Sequence, residues 1–164
     1  MGRYRPPQPK SSPYITRAGF DKLQAESESL WQRRKHVTAA LTAAAAEGDR
    51  SENAEYIYRK KELREIDRRI RYLQVRLPDL KIIDSTPADP DRVFFGALVT
   101  LENEAGETLR YRIVGADEFD PKKNWISVDS PVARALLKQA VDSEVNVDTP
   151  GGKECYLVVD VEYK

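Results

Sequence analysis

Cysteine and histidine are almost missing from this chain: Cys155 and His36 are the single examples among 164 residues. One cysteine cannot close an internal disulfide, which fits a reducing compartment. His36 has no second imidazole or nearby thiol to form a metal site, and it reads as a solvated helix residue. No apolar run approaches the ~20 residues that a membrane-spanning helix needs. The opening "MGRYRPPQPKSSP" lacks the apolar stretch of a secretory signal, and Pro6 stands where a myristoylation pattern needs Ser or Thr. A cytoplasmic protein without a membrane partner is expected. An excess of either charge is missing too. Lys plus Arg number 27 and Asp plus Glu number 27, which excludes a protein that coats nucleic acid by bulk charge. Any nucleic-acid contact has to come from a local patch.

What is present is a change of period halfway along the chain. Residues 1–13 read as a flexible, proline-rich leader. From there to residue 83 apolar side chains recur at three-four spacing. The first stripe is Phe20, Leu23, Ser27, Leu30, Arg34, Val37, Leu41 and Ala44; the second is Tyr56, Arg59, Leu63, Ile66, Ile70, Leu73, Leu77 and Leu80. Thr16 suits the N-cap of the first helix and Gly48 its C′ stop, and Pro78 predicts an end near Arg76 or Leu77. Two such helices with a tight connection make an antiparallel coiled-coil hairpin with arms of about 25–30 residues, roughly 40–45 Å long. Residues 84–91, "DSTPADPD", read as a linker. Over residues 92–164 the period is two: "VFFGALVTLEN" and "TLRYRIVG" alternate like half-buried strands, "NWISVD" is a third, and "SEVNVDTPGGKECYLVVDVEYK" gives two more about a Pro-Gly-Gly turn. Ser130 before Pro131 marks the start of a short helix in "SPVARALLKQA". The fold class is α+β: a coiled-coil hairpin, then an antiparallel sheet with one helix packed on it.

The turn between the two long helices, "GDRSE", supports two readings. In one, Asp49 caps the second helix and Glu52, three residues on, completes a capping box, so both carboxylates serve helix termination. In the other, they point off the end of the hairpin as oxygen ligands suited to Mg²⁺. Two carboxylates are too few for a tight site, so the ion would be shared with ligands of another molecule. Just behind the turn, Lys60, Arg64, Arg68 and Arg71 recur on one helix face, with Arg59 and Lys61 beside them. This strip reads either as a solvated face laced by Glu62, Glu65 and Asp67, or as a holder for a phosphate backbone. Tyr56 falls on the apolar stripe and reads as core, whereas Tyr58 lies off it. Trp31 and Trp125 read as packing anchors, and Cys155 as a small buried hydrophobe.

The segments "GDRSENAEY", "YRKKELREIDRRIRYL", "KIID", "VFFGALVTLEN", "RYRIVG" and "DSPVARALLK" together resemble the GreA/GreB family of bacterial transcript-cleavage factors, from about Tyr14 to the C-terminus. The resemblance implies an FKBP-like C-terminal domain that grips the largest-subunit coiled coil at the secondary-channel rim of RNA polymerase, with Asp129, Ser130 and Pro131 in the contact segment. It implies a hairpin inserted through that channel to a backtracked active site. There Asp49 and Glu52 would help hold a second Mg²⁺, shared with the polymerase and absent from the free protein, and orient water for RNA hydrolysis. Arg59, Lys60, Lys61, Arg64 and Arg68 would hold the 3′ segment of the nascent RNA. The protein would be a monomer when free and no enzyme by itself, but a donor of acidic groups to one. Two other functions fit less of the sequence. A channel-binding inhibitor has no need of the Asp49–Glu52 spacing. A prolyl isomerase needs an apolar pocket for which the C-terminal half has few aromatics.

Overall fold

The computed structural model describes residue 4, residues 6–48 and residues 52–164. Asp49 therefore lies outside the described residues. The chain divides into two compact units, Phe20–Leu80 and a second made of Met1–Gly19 with Lys81–Lys164. The hairpin unit is thus shorter at both ends than the 14–83 expected from periodicity, because the short segments at its roots pair with each other. They are β1 (Tyr14–Ile15) and β2 (Lys81–Ile82), hydrogen-bonded in parallel. Pro13 and Ile15 carbonyls accept from the Lys81 and Ile83 amides at 2.8 and 2.9 Å, and Ile15 is fully buried.

Within the first unit, α1 (Arg17–Ala45, 29 residues) and α2 (Ala54–Asp79, 26 residues) are the two arms. Thr16 caps α1 as expected, its hydroxyl accepting from the Gly19 amide at 3.1 Å. Val37, Ile66 and Ile70 form the buried seam, with Leu30 and Leu63 packed against it. Arg34, the polar intruder on the first stripe, pairs with Asp67 of the other arm at 2.7 Å. Arg33 reaches Glu62, and Arg69 reaches Glu26 at 2.6 Å. Helix α2 runs two or three residues further than Pro78 suggested. Proline is tolerated there because it sits in the last turn, and Leu80 closes the end by donating to the Leu77 carbonyl at 3.3 Å.

The second unit is a five-stranded sheet. Its strands are β3 (Leu98–Asn103), β4 (Thr108–Val114), β5 (Trp125–Ser127), β6 (Glu144–Thr149) and β7 (Gly152–Glu162), in the order β5-β4-β3-β7-β6. Helix α3 (Pro131–Leu136) links β5 to β6. The sheet is antiparallel except at one edge, where β4 and β5 run parallel with Ile113 opposite Ile126. An all-antiparallel sheet was expected. The difference arises because two 3-10 turns, 116–118 and 121–123, carry the chain back far enough to re-enter in the same direction. The alternation read in the sequence is realised: Val99, Leu101, Ile113, Val145, Val147 and Val158 all face a core with Ala133 and Leu136 of α3. Glu118, in the first 3-10 turn, holds β1 to this unit. Its carboxylate accepts from the Thr16 amide at 3.1 Å and the Gly115 amide at 2.8 Å. Gly115 has to be glycine, since a Cβ there would lie 2.3 Å from the Tyr14 carbonyl oxygen. Cys155 is half-buried rather than buried, opposite Asn146 in the β6–β7 pair. Among the described residues no helix is long and apolar enough to cross a membrane.

Candidate functional site

The end of the hairpin is closed by a residue that the sequence reading passed over. Asn53, not Asp49, is the N-cap of α2: its side-chain oxygen accepts from the Tyr56 amide at 3.1 Å. Its side-chain nitrogen donates to the Ala44 carbonyl at 2.7 Å, tying the start of α2 to the last turn of α1. Asn satisfies both helix ends at once because its amide is donor and acceptor together. The capping box expected of Asp49 and Glu52 would need Glu52 at the third helical position, whereas α2 starts at Ala54; Asp49 itself lies outside the described residues. Glu52 lies before the cap, exposed in a turn, and makes no hydrogen bond or ion pair with another described residue. The signal was present in "SENAE", an Asn followed two residues later by an acid in the first turn, but Asp49 and Glu52 fitted the capping-box template equally well. Gly48 holds φ at +129°, a conformation other residues rarely adopt, as the chain leaves α1.

Behind the tip the basic residues separate into two groups. Arg59 is half-buried and engaged: it donates to Glu55 at 2.8 Å and to Glu62 at 3.0 Å. Glu55 first and Glu62 second hold its guanidinium further up than usual. Glu62 accepts from Arg33 of the other arm as well, and that contact is the main reason its carboxyl titrates below the usual range. Arg59 thus differs from the cations after it in having two acidic partners. Lys60, Lys61, Arg64, Arg68 and Arg71 are exposed, and none has an acidic partner among the described residues. Lys60 sits 5.7 Å from the centre of the Tyr56 ring. The lacing by Glu62 and Asp67 that would have neutralised this face goes instead to Arg33, Arg34 and Arg59. What remains is an open line of positive charge, Lys60 to Arg71, about 16 Å long at the helical rise. Tyr58 is exposed beside its tip end, under the Arg59 guanidinium at 5.5 Å.

The third set of residues, 129–131, lies in the sheet unit at the start of α3. Ser130 caps that helix, accepting from the Ala133 amide at 3.2 Å. Asp129 accepts from the Ser12 amide at 2.8 Å, so the end of the expected leader is fastened here. Pro131 is exposed at the first helical position. As for metal binding, among the described residues no three carboxylate, imidazole or thiol side chains converge. Among the described residues the donor chemistry at the tip is that of Glu52, an oxygen ligand that fits a hard cation only with ligands from elsewhere.

Comparison with known proteins bears on both units. The family described as "Transcription elongation factor, N-terminal" matches residues 13–82, and "Transcription elongation factor, GreA/GreB, C-term" matches residues 87–163. The chain is 57% identical over 164 residues to a Pseudomonas aeruginosa protein named "Transcription elongation factor GreB", covering 99% of this chain and 98% of that one. A Xanthomonas axonopodis protein of the same name is 58% identical over 165 residues, with the same coverage. Among solved structures, GreA factor homolog 1 of Thermus thermophilus is 27% identical, with 91% of this chain and 97% of that chain covered and a TM-score of 0.42.

Proposed function

The chain belongs to the GreA/GreB family of transcription elongation factors, and on that footing we propose that it binds bacterial RNA polymerase and stimulates cleavage of backtracked nascent RNA. The hairpin enters the polymerase through its secondary channel, and Asp49 and Glu52 reach the active site. The observation that carries this reading is the position of Glu52. Asn53 already closes both helices, so the carboxylate at the tip is left without a structural duty. An exposed acid with no ion-pair partner among the described residues, at the end of a two-helix hairpin, is suited to work in another molecule's site.

Asp49 and Glu52 would share a Mg²⁺ ion with carboxylates of the polymerase, and when bound that ion supplies Lewis-acid activation of water. The chain's own groups do the rest. Glu52 accepts a hydrogen bond from the attacking water and orients it. Lys60, Lys61, Arg64 and Arg68 hold phosphates of the RNA 3′ segment, positioning it without reading its sequence. Pro131, flanked by Asp129 and Ser130, meets the coiled coil of the largest subunit at the channel rim. The protein supplies no complete active site. It completes one, acting as a single chain in the cytoplasm.

The deciding experiment is RNA cleavage in a stalled, backtracked elongation complex with Glu52→Gln and Asp49→Asn. Each swap keeps size and hydrogen bonding but gives a poorer Mg²⁺ ligand that takes no proton from water. Cleavage is expected to fall at least a hundredfold while thermal unfolding and polymerase binding stay unchanged. Wild-type rates in both variants would remove the tip from the chemistry. Stable binding of the wild-type protein with stalling but no cleavage would point to a channel-blocking regulator instead.

A further inference from the structure

Trp31 does not behave as the packing anchor its size suggests. It stands on α1 with 44% of its surface exposed, and the buried seam of Val37, Ile66 and Ile70 with Leu30 and Leu63 does not include it. Its indole forms one wall of an open hollow of about 380 Å³ on the hairpin, lined otherwise by Arg34, Asp67, Ile70, Arg71 and Gln74. That volume is at the lower end of what small planar ligands occupy. Arg34 and Asp67 neutralise each other across the floor at 2.7 Å. Arg71 has no such partner among the described residues, and the Gln74 side chain is exposed with both its donor and its acceptor available. The hollow thus combines a flat π-face, one uncompensated guanidinium and one amide.

Its place on the helix gives that combination a meaning. Arg71 is three residues beyond Arg68 and seven beyond Arg64, so the hollow opens at the far end of the same exposed basic line that begins behind the tip. From Asn53 to Arg71 is about 27 Å along the axis. We propose that this hollow is a stacking platform for single-stranded RNA, where Trp31 takes one unpaired base on its indole and Arg71 the adjoining phosphate. The platform rests on the cleavage reading above and adds a second, remote hold on the same strand. Duplex nucleic acid keeps its bases stacked and would find no use for the indole, whereas every unpaired base presents a π-face whatever its sequence. The charge of the line favours a polyanion over an apolar or basic peptide.

The test uses the full-length protein and backtracked elongation complexes whose extruded RNA is either short or long, with 4-thiouridine at successive positions upstream of the 3′ end. In the long complexes, photo-cross-links are expected in the peptide containing Trp31 from extruded uridines several nucleotides 3′ of the cleavage site, and from none next to the cleavage site. W31L, which keeps an apolar side chain but no π-face, should lower cleavage of long extruded RNA about tenfold, the scale of one lost stack. It should leave short extruded RNA unaffected, and W31F should recover most of the loss. R71A, a change at an exposed and unpaired side chain, should lower the cross-link yield at Trp31 and provides the second variant if W31L does not fold. Equal cleavage by wild type and W31L at both lengths, together with no cross-link at Trp31, overturns the platform. Weaker polymerase binding by W31L at both lengths overturns it in favour of a protein contact. If wild type stimulates cleavage of neither RNA, the cleavage reading falls, and the cross-link alone then decides the platform.

Discussion

The interior of the hairpin is a single file: Leu23, Val37 and Ala44 are buried on one arm and Ile66, Ile70 and Leu73 on the other, with Leu30 and Leu63 leaning on the middle of it. The sheet unit encloses a continuous cluster from Val93 to Val158 in which most members are fully buried. The two regions hold themselves together by different means. The sheet relies on apolar area removed from water. The hairpin supplements a thin seam with polar latches between its arms, Arg34–Asp67, Arg69–Glu26, Arg33–Glu62 and the Asn53–Ala44 bond. Surface ion pairs of this kind are individually weak, about 0–1 kcal/mol each. A narrow, charged rod with little apolar depth is a poor scaffold but a good probe. The acids turned inward toward the opposite arm leave the outward cations unneutralised. In this molecule, how the hairpin is held together and what it presents to a partner are settled by the same side chains.

Several changes would break or sharpen that contrast. Leu136→Ala, at a fully buried site in the sheet core, should lower the unfolding free energy of the sheet unit by about 2–5 kcal/mol. Ile70→Ala should cost the hairpin less, about 2 kcal/mol, because its seam is open to solvent on both sides and can relax. Native-state hydrogen exchange resolves the two units, and equal losses would show that the hairpin has a deeper core than its buried residues indicate. Next in size is Asn53→Ala, expected to destabilise the hairpin by about 1–2 kcal/mol through loss of the cap and the bond to Ala44. Asn53→Asp keeps the acceptor but sets a carboxylate against the Ala44 carbonyl, so it should recover less than half of that loss. Full recovery would mean that the bond to Ala44 contributes nothing.

The smallest effects are in the pH dependence, and their signs differ between the units. The Glu26 carboxyl is held below its usual range chiefly by the Arg69 hydrogen bond, and Glu62 chiefly by Arg33. A depressed carboxyl contributes stability above its unfolded pKa of about 4.3 and loses it as pH falls toward the folded value. The hairpin should therefore weaken below about pH 5, and Glu26→Gln should flatten that slope. In the sheet unit the Tyr156 phenol is pushed up to about 12, first by its hydrogen bond to Glu154 and then by burial. A raised phenol contributes stability below its unfolded value of about 10 and loses it as pH rises through that range toward the folded one. The sheet should soften in alkali, and Tyr156→Phe should remove the slope. Melting curves followed separately by helix and sheet signals check both; identical profiles for the two units would contradict the assignment.

Sequence periodicity revealed most of this architecture because each unit buries one face with its own period. The stripe of α2 and the alternation of β3, β4, β6 and β7 are direct consequences of that. Pairings that leave no periodic trace stayed hidden. The parallel β1–β2 contact involves two residues on each side, and β5 takes its direction from two short turns. At the tip, two cap candidates stood four residues apart, and local rules rank Asp49 and Asn53 alike. What distinguishes Asn53 is the bond from its side-chain nitrogen to the Ala44 carbonyl of the other arm, which no local rule contains. That Arg59, expected in the basic strip, is paired with acids was hidden for a related reason. It lies on the stripe facing α1, where Glu62 takes its charge. The basic line itself was legible from spacing, but whether it is neutralised depends on where Glu62 and Asp67 turn.

The parallel ribbon of Tyr14–Ile15 with Lys81–Ile82 has one more consequence. Because both roots of the hairpin leave from and return to adjacent strands, the whole of residues 20–80 is a cassette spliced into the sheet unit at two neighbouring points. Its length is not constrained by the sheet, only by the phase in which the arms meet. Removing one heptad from each arm, in register, would draw the tip back by about 10 Å while the roots and the Asn53 closure stay as they are. The hairpin is in that sense a graduated rod, and its working depth can be reset in steps of a heptad.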